Sequence, residues 1–185
     1  AITEAITLVA VEDLYRPYRP KRRTRAMIAR EKGLEPLANI LLSCKCNQDI
    51  NQIALEYIDE EKEVCTAEDA IAGAKDIIAE MISDEAKYRT YIRETTIKQG
   101  NIVVAAKNPE EQSVYEMYYD FSEPIAKAAG YRTLAINRGE KEKILTVKIE
   151  APVDKILRFL QNKVMVKENA YTKQVLEETI EDSYN

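Results

Sequence analysis

Thr66-Ala67-Glu68-Asp69-Ala70-Ile71-Ala72-Gly73-Ala74-Lys75-Asp76-Ile77-Ile78-Ala79-Glu80-Met81-Ile82 carries the clearest helical period in this sequence. Ala67, Ala70, Ile71, Ala74, Ile77, Ile78, Met81 and Ile82 recur at i, i+3, i+4 spacing, which lines them along one side of a 3.6-residue helix. Thr66 offers an N-cap hydroxyl, and Asp69 puts negative charge where the helix dipole favours it. Ala70, Gly73 and Ala74 are small enough for a neighbouring helix to approach closely. A stripe of this kind marks burial. The stretch therefore predicts a core helix and sets the fold class: mostly α, an elongated multi-helix bundle with at most a small two-stranded β element.

Toward the N-terminus the elements are short. Asp49 can cap a helix burying Ile50, Ile53, Ala54, Tyr57 and Ile58, and Pro36 suits the first turn of one carrying Leu37, Ile40 and Leu41 inward. Thr24 caps a helix from Arg25 that ends at Gly33. A first helix is expected from before Ala1 to about Leu14, through Ile2, Ala5, Ile6 and Val9. The chain thus opens inside an apolar period without a cap and stops inside another, Val175-Leu176-Thr179-Ile180, so it reads as a piece of a longer polypeptide.

Toward the C-terminus, Ser83 or Asp84 would cap a helix with Tyr88, Tyr91, Ile92 and Ile97 on its apolar side, ended by Gly100. Then the pattern changes. Asn101–Ala106 and Ile144–Glu150 are β-branched or alternating and are the two strand candidates, open to pairing with each other. Between them, Asn108-Pro109-Glu110-Glu111 reads as a helix start leading to Tyr115, Met117, Tyr118 and Tyr119. Glu123-Pro124 opens a brief helix ended by Gly130, and residues 133–138 fit helix or strand. A helix with Ile156, Leu157 and Leu160 follows Pro152, and the terminal one starts at about Asn169 or Thr172. The expected division is residues 1–100, an N-terminal helical domain, and residues 101–185, a central helical region with short strands.

The chain has 185 residues, five glycines and six prolines, which leaves little for long flexible linkers. No apolar run approaches the roughly 20 residues of a membrane span, and no basic-then-apolar leader opens the chain; a soluble, cytoplasmic protein without membrane contact is expected. Histidine is absent, which removes the usual general base and the Ser/His and Cys/His pairings. Cys44, Cys46 and Cys65 lack the paired spacing of a zinc site. With no Gly-rich phosphate loop either, neither an enzyme nor a metal or other cofactor is expected.

One segment breaks the acidic character of the chain. Its net charge is −5, yet Arg16, Arg19, Lys21, Arg22, Arg23 and Arg25 place six cations within ten residues, leaving the remainder near −11. Pro17 and Pro20 forbid a continuous helix and favour extended geometry at Arg16 and Arg19, spreading the charges along a strap. Two readings stay open: a solvated loop paired with acidic helices, or a nucleic-acid-binding strap in which all six cations meet phosphates.

Leu14-Tyr15-Arg16-Pro17-Tyr18-Arg19-Pro20-Lys21-Arg22-Arg23-Thr24-Arg25-Ala26, followed by Ile28-Ala29-Arg30-Glu31-Lys32-Gly33-Leu34-Glu35-Pro36-Leu37-Ala38, resembles the N-terminal region of the bacterial Tex family of transcription accessory proteins. Ala72–Glu80 is similar to the long helix of that family, Tyr119-Asp120-Phe121-Ser122-Glu123-Pro124 to its tyrosine-acid-proline segment, and Leu134–Glu142 to its Arg-Gly-Glu segment. Residues 174–184 fit as well. Tyr131 departs from a usual His, Asn137 from a usual hydrophobic residue and Lys143 from a common Gly. Gly139 is expected to end a helix in an exposed charged turn.

The resemblance implies a helical, nucleic-acid-binding protein related to a eukaryotic elongation factor that acts with RNA polymerase and chromatin. It implies that a full-length member continues into an RNase H-like domain, a helix-hairpin-helix region and a C-terminal OB-fold RNA-binding domain, none of which this sequence contains. RNA or DNA would then be bound mainly by those domains, with the transcription machinery as a further partner. No catalytic residue carries over. Two functions remain: a helical scaffold with an auxiliary phosphate-contacting strap, or a protein-interaction scaffold without nucleic-acid contact.

Overall fold

The computed structural model describes residues 7–19, 22–167 and 169–184. Thr7 accepts the Ala10 N–H at 3.2 Å and starts α1 (Leu8–Tyr15). The expected extension of this helix through Ala1–Ile6 lies outside the described residues. Thr24 caps α2 (Arg25–Glu31), accepting the Met27 N–H at 3.1 Å, and Gly33 at φ 81° closes its C-terminal turn as its sequence position predicts. Pro36 lies in the first turn of α3 (Glu35–Ser43), and Asp49 caps α4 (Ile50–Leu55) through the Asn51 N–H at 2.7 Å. α4 buries Ile50, Ile53 and Ala54, but it stops before Tyr57 and Ile58, and Ile58 is exposed.

α5 (Ala67–Asp84) follows, with a full capping box: Thr66 Oγ1 accepts the Asp69 N–H at 3.1 Å and Asp69 Oδ2 accepts the Thr66 N–H at 3.0 Å. It buries Ala70, Ala74, Ile77, Ile78 and Ile82; Met81, expected inward, is exposed. A Cβ on Gly73 would collide with Leu34 Cδ1, so glycine is what lets the α2–α3 connection lie against this helix. α6 (Ala86–Gln99) is separated from α5 by Glu85, whose carboxylate accepts the Lys87 N–H at 3.3 Å, one residue later than the expected Ser83 or Asp84 cap. Its apolar side is weaker than expected: Ile97 is exposed and Thr95 is buried.

The next elements are β1 (Asn101–Ala106), β2 (Asp120–Pro124), α7 (Gly130–Lys141), β3 (Leu145–Glu150), α8 (Val153–Val164) and α9 (Lys173–Tyr184). By contacts the chain divides into two units, one of residues before Tyr91 together with those after Ile156, the other Tyr91–Ile156. In the first, α2, α3, α4 and α9 all pack on α5. Leu34, Leu37, Leu41, Ile77, Ile78, Leu176 and Ile180 are fully buried there, each worth about 1.5–3 kcal/mol of transfer free energy. Asn169 ties this unit together as well, its Nδ2 donating to the carbonyls of Cys44 at 3.1 Å and Cys46 at 2.8 Å.

The second unit is an antiparallel sheet of order β2-β1-β3, with Val104 opposite both Phe121 and Val147. The two expected strands do pair. The third, β2, corrects the expectation of at most two strands. Asp120-Phe121-Ser122-Glu123-Pro124 has little β propensity and ends in proline, which an edge strand tolerates because its outer N–H groups need no ladder partner. Val104, Tyr115, Tyr118, Ile136 and Leu145 form the core of this unit, with Tyr118 edge-on to Phe121 at 5.5 Å.

Three helix expectations fail in this unit. The predicted helix from Asn108 is a turn, with the Glu111 N–H on the Asn108 carbonyl, and only a 3-10 turn at Glu116–Tyr118 follows. Tyr115 and Tyr118 point into the sheet core from that single turn, so no longer helix is needed to bury them. The brief helix from Pro124 is likewise a 3-10 turn, Ile125–Lys127, and Gly130 begins α7 instead of ending it. Residues 133–138 are helical. Gly139 lies inside α7 and does not end it; the glycine is there for closeness, since a Cβ would come within 2.6 Å of Leu145 Cδ1, and the left-handed position after the helix is Lys143 at φ 64°.

Candidate nucleic-acid interface

The basic strap is built from three pieces. α1 ends at Tyr15, and a 3-10 turn at Arg16–Tyr18 follows, so Arg16, at φ −51°, ψ −43°, is helical and not extended as expected, because the Arg19 N–H closes onto its carbonyl at 3.2 Å. Arg19 then extends at φ −68°, ψ 133°, so the chain leaves the helical path where Pro20 demands it. Pro20 and Lys21 lie outside the described residues. The segment resumes at Arg22, reaches the Thr24 cap and enters α2 with Arg25. The buried Asp13 holds the start of this path, accepting Arg89 Nε at 2.8 Å.

The described cations divide into two sets. Arg16 Nε meets Asp84 at 3.3 Å, Arg25 Nε meets Asp76 at 3.5 Å and Arg23 Nη2 meets Glu31 at 2.6 Å. Arg19 and Arg22 are exposed and form no ion pair with the described residues. Two guanidiniums with unoccupied donors can each clamp an anion in a bidentate fork.

Glu31 lies at the end of α2, whereas the partners of Arg16 and Arg25 come from one face of α5. Asp76, Glu80 and Asp84 stand at i, i+4 and i+8, and each receives a cation or hydroxyl from the chain between Arg16 and Arg30. Glu80 is the best satisfied: Arg30 Nη1 donates to Oε2 at 2.6 Å and the Thr24 hydroxyl donates to Oε1 at 3.0 Å. Sequence reasoning passed over this stripe, although its spacing is visible: three carboxylates at helical period along the flank of an apolar face. Arg30, the cation that makes the shortest of these bonds, was not among the candidates.

Elsewhere, Cys44 and Cys46 are buried and Cys65 is exposed, all as free thiols. Burial and the neighbouring Cys44 push the Cys46 thiol above its ordinary pKa. Among the described residues no group of three or more His, Cys, Asp or Glu converges as a metal site, and no helix is long and apolar enough to cross a membrane.

Comparison with known proteins shows the family of the chain. The family described as Tex central region-like matches residues 45–183, beginning after the strap. YdcI of Bacillus subtilis is 50% identical over 186 residues, covering 99% of this chain and 26% of its own length. The transcriptional accessory protein Tex of Neisseria gonorrhoeae is 35% identical over 156 residues, 83% of this chain and 20% of that protein. The human S1 RNA-binding domain-containing protein 1 is 31% identical over 159 residues, 80% of this chain and 16% of that protein. The chain spans about a quarter of the length of YdcI and a fifth or less of the other two. With three quarters of its residues matched in one block, and the long helix and the Arg-Gly-Glu segment inside that block, the chain belongs to the Tex central region-like family.

Proposed function

We propose that this chain is the helical scaffold of a transcription accessory factor, without a catalytic role of its own, and that its strap adds auxiliary phosphate contacts to nucleic acid held mainly elsewhere in the longer protein. The names of the relatives, a transcriptional accessory protein and an S1 RNA-binding domain-containing protein, support the class. The observation that carries the strap's part is the division of its cations: Arg16, Arg23 and Arg25 have carboxylate partners, whereas Arg19 and Arg22 project without one among the described residues. Long exposed arginines contribute little to folding when unpaired, so their placement is better explained by an external anion.

The test is polynucleotide binding by the chain over a range of salt concentrations. Replacing Arg19 and Arg22 with Glu should weaken binding across sequences and make the salt dependence shallower by about 0.7–0.9 per lost contact. Replacing both with Ala, which adds no carboxylate to the groove Arg19 shares with Glu80, Asp84 and Glu85, should leave thermal stability unchanged, since neither residue holds an ion pair with a described residue. Binding that is unaltered by the double substitution rejects the strap as a phosphate contact. A protein-docking scaffold without nucleic-acid contact is the second reading, favoured by the exposed Tyr131 and Leu134 on α7 and Ile149 on β3. Its interactions would persist as salt rises.

A further inference from the structure

We infer that the strap takes a single-stranded nucleic acid, with Tyr18, seconded by Tyr15, stacking on unpaired bases while Arg19 and Arg22 hold the phosphates. This rests on the phosphate-contact reading above and names the class of ligand.

The argument starts from the tyrosines. Tyr18 is 77% exposed and Tyr15 is 49% exposed, and neither makes a ring contact or a hydroxyl hydrogen bond with the described residues. By contrast, the rings of Tyr88 and Tyr118 stand edge-on to Phe159 and Phe121. A 3-10 turn eclipses side chains three residues apart, which puts Tyr15 and Tyr18 on the same side at a rise of roughly 6 Å. That is close to two base-stacking intervals of about 3.4 Å. Pro17 between them fixes the backbone, so little ordering entropy is lost when the rings are engaged.

Charge then selects the form of the ligand. With three strap cations balanced by carboxylates, only two described guanidiniums remain for phosphates, which is few for a duplex whose bases offer no free faces. A single strand exposes its bases, and aromatic rings interleaved with cations are how such strands are held without sequence preference. In Tyr15-Arg16-Pro17-Tyr18-Arg19 aromatic and cation alternate directly. RNA and DNA single strands share this chemistry.

The experiment measures anisotropy of labelled 20-nucleotide oligouridylate, oligothymidylate and a duplex of equal length, each titrated with the whole chain at low salt. Both single strands should bind more tightly than the duplex. Tyr18→Ala should weaken single-strand binding roughly fivefold or more and leave the salt slope unchanged, while Tyr18→Phe, which keeps the ring, should restore it. Arg19→Ala with Arg22→Ala should weaken every ligand and flatten the slope. A better affinity for the duplex, or single-strand binding untouched by Tyr18→Ala while the arginine pair still matters, overturns stacking and leaves the phosphate reading intact. Absence of binding to all three ligands overturns both. Melting curves of each variant, unchanged for a solvated side chain, show that a loss is not one of folding.

Discussion

In the helical unit the carboxylates Asp76, Glu80 and Asp84 lie along the flank of α5 and share the guanidiniums of Arg25, Arg30 and Arg16, whereas in the sheet unit Glu123 turns toward the core and is met by Arg132. The Glu123 side chain is only 10% exposed, and Arg132 holds it with two bonds, Nη2 to Oε2 at 2.6 Å and Nε to Oε1 at 3.3 Å. That fork, led by the hydrogen bond to Glu123, also raises the pKa of Arg132. The same chemistry is thus distributed in one unit and concentrated in the other. Redundancy in the first means that the loss of one partner is absorbed by neighbours and by water. In the second, the loss leaves a charge inside.

The largest effect should follow from Arg132→Ala, which strands the buried Glu123 opposite Ile102. A cost of about 3 kcal/mol is expected in urea denaturation. Replacing both Glu123 and Arg132 with Leu should recover much of it, because an apolar pair needs no compensation; a double variant as unstable as the single one would break the comparison. Glu80→Ala comes next, at about 1 kcal/mol, since Arg30 and Thr24 are both near water and Arg30 also approaches Glu35 at 3.9 Å.

Asp69 sharpens the contrast from a third direction, because it is held by a cap instead of a guanidinium. Hydrogen bonds from Thr66, the side chain foremost, draw its carboxyl below the usual range. A carboxyl depressed in the folded state contributes stability that is complete above its unfolded pKa, about 3.9, and is lost as pH falls through the folded value. Thr66→Ala should therefore cost about 1 kcal/mol near neutrality, and the gap between variant and parent should narrow as chemical denaturation is repeated at falling pH below about 4. The smallest effect belongs to Arg23→Ala. Its pair with Glu31 is short but exposed on both sides, and a change in midpoint beyond that of about 0.5 kcal/mol would show that this arginine is structural after all.

The two units also differ in how far sequence predicts them. α5 is legible because cap, period and small residues agree within one segment, and local agreement of that kind survives packing. Between residues 107 and 143 the signals are local while the outcome is not. Pro109 and the glutamates after it look like a helix start, but the tyrosines beyond are claimed by a sheet whose strands lie apart in sequence. Gly139 looks like a helix end and is instead a notch for Leu145, a contact formed with a residue past the helix. The strap was legible as a cluster of charge. Which of its arginines are occupied was not, because that depends on Asp76 and Asp84, some fifty to seventy positions later in the chain.

One consequence of the bundle concerns time. α5 is packed by α9, and Lys75 Nζ meets Glu178 at 2.9 Å across 103 residues of chain. On a ribosome adding about 5–20 residues per second, the face of α5 that receives Leu176 and Ile180 waits roughly 5–20 s after its own synthesis before its cover emerges. During that interval the strands at 101–106, 120–124 and 145–150 are all made and can close their sheet. The nascent chain can thus close its sheet while the side of α5 that α9 covers still lacks its partner.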